Sequence, residues 1–125
     1  MPAFSKAGPL RLAVSPRQWR EPRFEQVRGD FADAELIPSG ALASKLACVA
    51  TGVFDGAFFL GGDGGRAPVW DFAAAGLILQ EAGGRFSALD GSPLLESVTD
   101  IHNGGWIACR PDDHAALVKR LSPWG

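Results

Sequence analysis

The sequence predicts a single α/β domain. Segments with strand character alternate along the chain with segments of helical spacing. The hydrophobic fraction is 46% against 21% charged residues, enough apolar surface to offset the entropy of ordering. Sixteen glycines and nine prolines keep turns frequent and elements short. At 125 residues the chain is long enough for one core and too short for two.

Residues 1–9 contain Pro2, Gly8 and Pro9 without periodicity and read as an extended lead-in. Leu10, Leu12 and Val14 alternate with Arg11 and Ala13, as in a strand, and Ser15-Pro16 ends it where a proline suits the start of a helix. A short helix is expected over residues 21–28, broken by Gly29. Residues 34–37 form a second apolar strand closed by Pro38. Strand, helix, strand is the beginning of a crossover sheet.

Over residues 40–51, Leu42, Leu46, Val49 and Ala50 recur at helical spacing, while Ala41, Ala43, Ser44, Ala47 and Cys48 keep the cylinder slim, so this helix should be buried. Gly52 stops it. Residues 53–60 (VFDGAFFL) are a hydrophobic strand in which Gly56 marks a bulge or a close backbone approach. A second strong helix is expected over residues 70–82. Phe72, Ala75, Gly76, Leu79 and Ala82 share one face, Asp71 sits in the first turn where a carboxylate suits the macrodipole, and Gly83-Gly84 terminate it. Residues 85–89, a turn at 90–93 and residues 94–95 suggest a hairpin. Residues 105–109 read as a buried strand and 111–121 as a closing helix opened by Pro111.

Twelve Lys and Arg against 14 Asp and Glu give a net charge of −2. No general electrostatic pull toward a nucleic acid or an anionic membrane follows from that balance. No apolar run approaches the roughly 18–20 residues of a membrane span, and the first residues lack a signal-peptide core, so the chain reads as cytoplasmic. Cys48 and Cys109 form no CxxC and read as reduced core thiols. His102 and His114 lack ligand spacing and read as surface or loop histidines.

Residues 68–84, PVWDFAAAGLILQEAGG, are the most distinctive in the chain. They resemble the C-terminal signature of the inositol monophosphatase superfamily of magnesium-dependent phosphatases, W-D-x-A-x-A-G followed by apolar residues and E-A-G-G. Trp70, Asp71, Ala73, Ala75, Gly76, Glu81, Ala82, Gly83 and Gly84 stand in register. Residues 39–61 are similar to that family's S-G-S-A-A helix, V-A-x-G stop and Asp-containing strand, with Val49-Ala50-Thr51-Gly52 and Asp55 in place. The opening LRLAVSPRQWREPRFEQV is similar to the preceding strand and helix, especially in the bisphosphate nucleotidase branch.

The resemblance implies a mixed, mostly parallel sheet of about five strands with helices on both faces, forming the C-terminal, substrate-side domain over residues 10–125. It implies that Asp71 is a ligand of Mg²⁺. The helix start at Ser39, Gly40 and Ala41, with its free N–H groups, and Lys45 one turn inward become candidates to bind substrate. Lys45 reaches the substrate or merely snorkels. Trp70 reads as packing and Glu81 as a structural acid. The stretch GGDGGRAP reads as a connector or as a phosphate nest with Arg66 beside it.

The family's glutamate pair and D-P-x-D-G-T loop do not occur in this sequence, so no catalytic residue is assigned. Ala41 stands where the family usually has Ser or Thr, and Phe59 where inositol-specific members have glutamate, which weakens the case for inositol itself. The function implied is the C-terminal half of a magnesium-dependent phosphomonoesterase that hydrolyses a sugar, polyol or nucleotide phosphate with metal-activated water. The partners implied are a small-molecule phosphate ester and either an N-terminal half chain or a second copy. The alternative is a truncated, non-catalytic remnant acting in association.

Overall fold

The computed structural model describes residues 9–40, 42–60, 67–91, 101–102 and 105–124. Strand β1 (Arg11–Val14) leads into the one-turn helix α1 (Pro16–Trp19), helix α2 (Phe24–Asp30) and strand β2 (Glu35–Pro38). Helix α3 (Leu42–Ala50), strand β3 (Gly56–Phe59), the two-residue β4 (Ala67–Pro68) and helix α4 (Val69–Glu81) follow. Strands β5 (Arg85–Ser87), β6 (Ile101–His102) and β7 (Trp106–Cys109), helix α5 (Pro111–Leu121) and a 3-10 turn, Ser122–Trp124, complete the described chain.

The main sheet has the order β2-β1-β3-β7-β5. β1 pairs in parallel with β2 and β3, while β7 pairs antiparallel with both β3 and β5. Four strands therefore share one direction and β7 alone is reversed, as expected of a mixed, mostly parallel sheet. β4 and β6 form a separate antiparallel pair.

Strand alternation sends side chains to two cores. Leu12, Val14, Phe58, Ile107 and Cys109 meet Phe24, Val27 and Phe31 from α2 and its end, and Leu117 and Leu121 from α5. On the other face Ala13, Ala57, Phe59, Phe86, Trp106 and Ala108 meet Leu46 and Val49 from α3 and Leu79 from α4. The central strands are buried on both faces, which is why they read as unbroken apolar runs.

Both long helices on the second face end in the same way. The N–H of Gly52 donates to Val49 O at 3.1 Å and that of Val53 to Cys48 O at 2.8 Å. After α4, Gly83 N–H donates to Gln80 O and Gly84 N–H to Leu79 O, each at 2.9 Å. This paired pattern is a Schellman stop, and it requires the left-handed φ of +86° at Gly52 and +92° at Gly83.

Several expectations are corrected. Gly29 does not break α2, which continues to Asp30 before Phe31 N–H closes it on Val27 O. Ser15-Pro16 does open a helix, the separate one-turn α1, with Gln18 N–H on Ser15 Oγ at 3.5 Å, and α2 begins at Phe24 rather than at residue 21. The β3 strand is shorter than expected because Asp55 is diverted. Its backbone N–H donates to Arg11 O and its Oδ2 accepts from Arg11 N–H, both at 2.8 Å. Gly56 is a close approach: a Cβ there would lie 3.1 Å from both Ala108 O and Leu12 Cδ2. β5 pairs with β7, and the expected second hairpin arm at 94–95 lies outside the described residues, as do residues 1–8.

His114 is not a surface or loop residue. It lies buried on α5 with Nε2 2.7 Å from Ser87 Oγ, and that hydroxyl also donates to Ala88 O at 2.9 Å. A hydroxyl carries one proton, so with it on Ala88 the neutral imidazole donates its Nε2–H to Ser87. Cys109 is a buried free thiol, and Cys48 is free and half-buried. Burial, with Asp113 nearby, pushes the Cys109 thiol up to about 12.

Two predictions follow from the packing. A Cβ at Gly76 would lie 2.5 Å from Phe86 Cδ2, and that ring is itself held against Trp106. Gly76→Ala should therefore destabilise the fold by about 1–3 kcal/mol, despite alanine's roughly 1 kcal/mol helix advantage. Urea denaturation checks this, and a stabilised variant would contradict it. Burial, and secondarily the Arg85 charge, hold the His114 pKa below its ordinary value. The unfolded chain then takes up the proton first, so stability should be full above pH about 6.5 and decline as pH falls through the lowered folded value. His114→Gln should flatten that slope in denaturation curves collected from pH 7 to 5.

Candidate functional site

The topology decides which residues can share a site. β3 and β5 point the same way, and Gly56 and Arg85 at their starts both pair with Cys109. The Gly52 turn leads α3 toward β3, and Gly83-Gly84 lead α4 into β5. The C-termini of both helices therefore lie at the edge where these strands begin. Their N-termini lie together at the opposite edge, where β1, β2 and β3 end. Ser39 and Gly40 precede α3 at this edge, and Asp71 occupies the first turn of α4. Each helix carries partial positive charge at that end. In open α/β sheets, ligands settle outside the carboxyl ends of the strands.

Ser39 is fixed from two sides. Its N–H donates to Val14 O at 2.9 Å, and its carbonyl accepts from Lys45 Nζ at 3.0 Å. Lys45 is only 5% exposed, and burial holds its amine below the usual lysine range. The ammonium thus ties the strand-to-helix connection to the first turn of α3. Gly40 is exposed, leaving this start open to solvent. Ala41 lies outside the described residues, as does the 61–66 stretch with Arg66.

A third brace was not foreseen. Gln18 is buried, and its Oε1 accepts the N–H of Leu60 at 2.9 Å, holding the chain as it leaves β3 at the same edge. Its only sequence signal is the Ser15-Pro16 helix start that precedes it. Asp55 lies at the opposite end of β3, buried against the β1 backbone, and belongs to the sheet's framework. Glu81 is exposed at the end of α4.

Mg²⁺ binds about six oxygens in near-octahedral geometry. Among the described residues no group of three or more His, Cys, Asp or Glu could hold a metal ion. Asp71 stands in the first turn of α4, and its side chain lies outside the described ones, so the described residues do not by themselves make a magnesium site. What the edge does provide is two aligned helix N-termini and a rigid frame around them. No described helix is long and apolar enough to cross a membrane.

Lys45→Met retains much of the side chain's length but leaves the Ser39 carbonyl without its donor. We expect a loss of about 1–3 kcal/mol in urea denaturation, with the β1–β2 backbone amides exchanging faster. Unchanged stability and exchange would mean that the ammonium does not brace this junction.

Known proteins extend the picture. The profile of the inositol monophosphatase family matches residues 11–122. The chain is similar to inositol monophosphatase 3 of Danio rerio, 40% identical over 55 residues, which are 44% of this chain and 16% of that protein. It is also similar to inositol monophosphatase 3 of Xenopus tropicalis, 34% identical over 53 residues, 42% of this chain and 15% of that one. Its fold resembles that of inositol monophosphatase-II from Staphylococcus aureus MSSA476, with a TM-score of 0.74 at 21% identity over 96% of this chain and 44% of that structure. The inositol monophosphatase of Anabaena (Nostoc) sp. PCC 7120 gives 0.67 at 25% identity, over 93% of this chain and 44% of that one. The chain spans less than half the length of the solved structures it matches.

Proposed function

Because the chain belongs to the inositol monophosphatase family, whose profile matches residues 11–122, we propose that residues 10–125 are the C-terminal, substrate-side half of a magnesium-dependent phosphomonoesterase. The substrate class is a sugar, polyol or nucleotide phosphate. The observation that carries this reading is the shared edge on which α3 and α4 both begin, with the Trp70-Asp71 motif at one helix start and Ser39-Gly40 at the other. Two helix N-termini favour an anionic ligand.

In this reading Asp71 contributes one carboxylate to a metal set completed by an N-terminal half. Magnesium, when bound in the completed enzyme and held mostly by residues outside this chain, would supply positive charge beside the phosphate. Ser39, Gly40 and Ala41 are the residues of this reading that meet substrate, with Gly40 exposed at the helix start and the Ser39 backbone already committed to Val14 O and Lys45 Nζ. Lys45 acts as a positioning residue that keeps this connection rigid. The work of this half is binding and orientation, which alone supplies a large share of catalysis when the geometry is held.

The purified 125-residue chain should therefore show no magnesium-dependent release of phosphate above background from a panel of sugar, polyol and nucleotide monophosphates. Co-expression with a chain carrying the glutamate pair and the D-P-x-D-G-T loop should restore turnover. In that complex Asp71→Asn should lower magnesium affinity and turnover by about 10- to 100-fold with folding preserved. Failure of the complex to hydrolyse any panel member would instead favour a non-catalytic remnant. Full magnesium dependence in Asp71→Asn would reduce that residue to a helix-start acid.

A further inference from the structure

Strand β2 is an edge of the main sheet. Between it, the end of α1 and the last turn of α2 lies a cavity of about 190 Å³ lined by Trp19, Arg28, Phe31, Ala32, Ala34 and Leu36. The sequence accounts for the space. Ala32 and Ala34 stand in the turn from α2 to β2, where Ala34 N–H donates to Phe31 O at 2.9 Å, and neither is large enough to fill what the Trp19 and Phe31 rings border. Phe31 is buried, Ala32 is exposed and the other four are half-buried, so the cavity has an inner wall and an open mouth. It lies on the α2 side of the sheet, opposite α3 and α4, and shares no residue with the candidate site.

One charged residue lines this cavity. The Arg28 guanidinium lies 4.7 Å from the centre of the Trp19 ring. Arg11, Arg23, Arg110 and Arg120 each bridge to a carboxylate, and Arg120, which also stacks on Phe31, holds Asp30 O as well. Among the described residues Arg28 has no carboxylate partner. Stacking on the indole uses one face of the guanidinium and fixes its plane. Its N–H edge stays available to a carboxylate, which such an edge meets with two parallel hydrogen bonds.

We propose that this cavity binds a small aromatic monocarboxylate, its ring among Trp19, Phe31 and Leu36 and its carboxylate on Arg28. Size selects the ring. An apolar cavity of about 150 Å³ takes one benzene, so 190 Å³ admits one six-membered ring with a short substituent and is too small for a nucleoside. Charge selects the substituent. Asp30 and Glu35, both exposed, adjoin the lining residues Phe31, Ala34 and Leu36 in the chain, and Asp33 is already matched by Arg120. Arg28 balances one negative charge, whereas a phosphate dianion would bring a second, uncompensated one toward these acids. This inference rests on the cavity alone and not on the phosphatase reading.

A ligand of about ten heavy atoms in a site this open should bind with a Kd on the order of 0.1–1 mM. In ¹H–¹⁵N spectra of the purified chain, phenylacetate added to about 20 mM, well above that constant, should saturate shifts of the Trp19 indole N–H and the Ala32, Ala34 and Leu36 amides. Benzyl alcohol, which keeps the ring, and acetate, which keeps the charge, should each bind about tenfold more weakly or less, and inorganic phosphate should leave these signals in place. Arg28→Gln should weaken phenylacetate by about tenfold or more, as loss of a hydrogen bond to a charged group does, and leave benzyl alcohol unchanged. Should that variant fail to fold, Ala32→Leu serves instead: it narrows the mouth from an exposed position and should remove binding of both ring compounds. The proposal would be overturned by the absence of saturable shifts, by saturation at residues outside the cavity, or by acetate, benzyl alcohol or phosphate binding as tightly as phenylacetate. Undiminished phenylacetate binding in the folded variant would overturn it equally.

Discussion

The reversed strand β7, wedged between β3 and β5, is the constraint on which the rest of this domain depends. Cys109 pairs with Gly56 on one side and Arg85 on the other, so two strands far apart in sequence start at the same level and run the same way. Helices α3 and α4, each led toward its strand through a glycine stop, are then forced parallel. Had β5 run in the opposite sense, α4 would begin at the far edge of the sheet, and Asp71 and Ser39 would lie at opposite ends of the domain. The Cys109 thiol serves this junction by packing alone: fully buried and pushed up to about 12, it is not a nucleophile at neutral pH.

Around that junction the buried polar groups share a task. Gln18 holds the exit of β3, Lys45 holds the exit of β2, and the Arg11–Asp55 backbone bonds hold the beginnings of β1 and β3. Ser87 and His114 tie β5 to α5. Each bond adds about 1 kcal/mol net, whereas removing one partner strands a buried group at a larger cost. Apolar packing builds the two cores, and these few polar contacts decide how the connections leave the sheet. The edge that carries the candidate site is accordingly stiff in its frame, with the Gly40 start open to solvent.

The candidate site was only partly legible in the sequence. The W-D…E-A-G-G segment announced a helix whose first turn carries Asp71, and the glycine stops were readable because a left-handed residue after an apolar helix has few alternatives to glycine. The position of Lys45 one turn into α3 suits reaching substrate or snorkelling, and its ammonium is found on a carbonyl six residues back. Nothing in its helical position distinguishes these outcomes, because the partner is backbone. Gln18 was missed for the same reason: its acceptor role depends on Leu60, 42 positions away. Polar type on average predicts a surface or loop position for His114, but Ser87 across the core satisfies it.

What the sequence by itself determined is local. It set the existence and type of the main elements, the places where α3 and α4 stop, the bounds of α5 and the apolar character of the central strands, because periodicity, glycine φ and proline geometry act within a few residues. Only the tertiary structure decided that β5 pairs with β7, that the starts of α3 and α4 share one edge, and that Leu77 and Ile78 of α4 are left exposed. Those outcomes depend on pairings between distant segments, where many registers satisfy the same hydrophobic pattern. The choice among them is made by close packing, such as Gly76 under Phe86, which no single segment encodes.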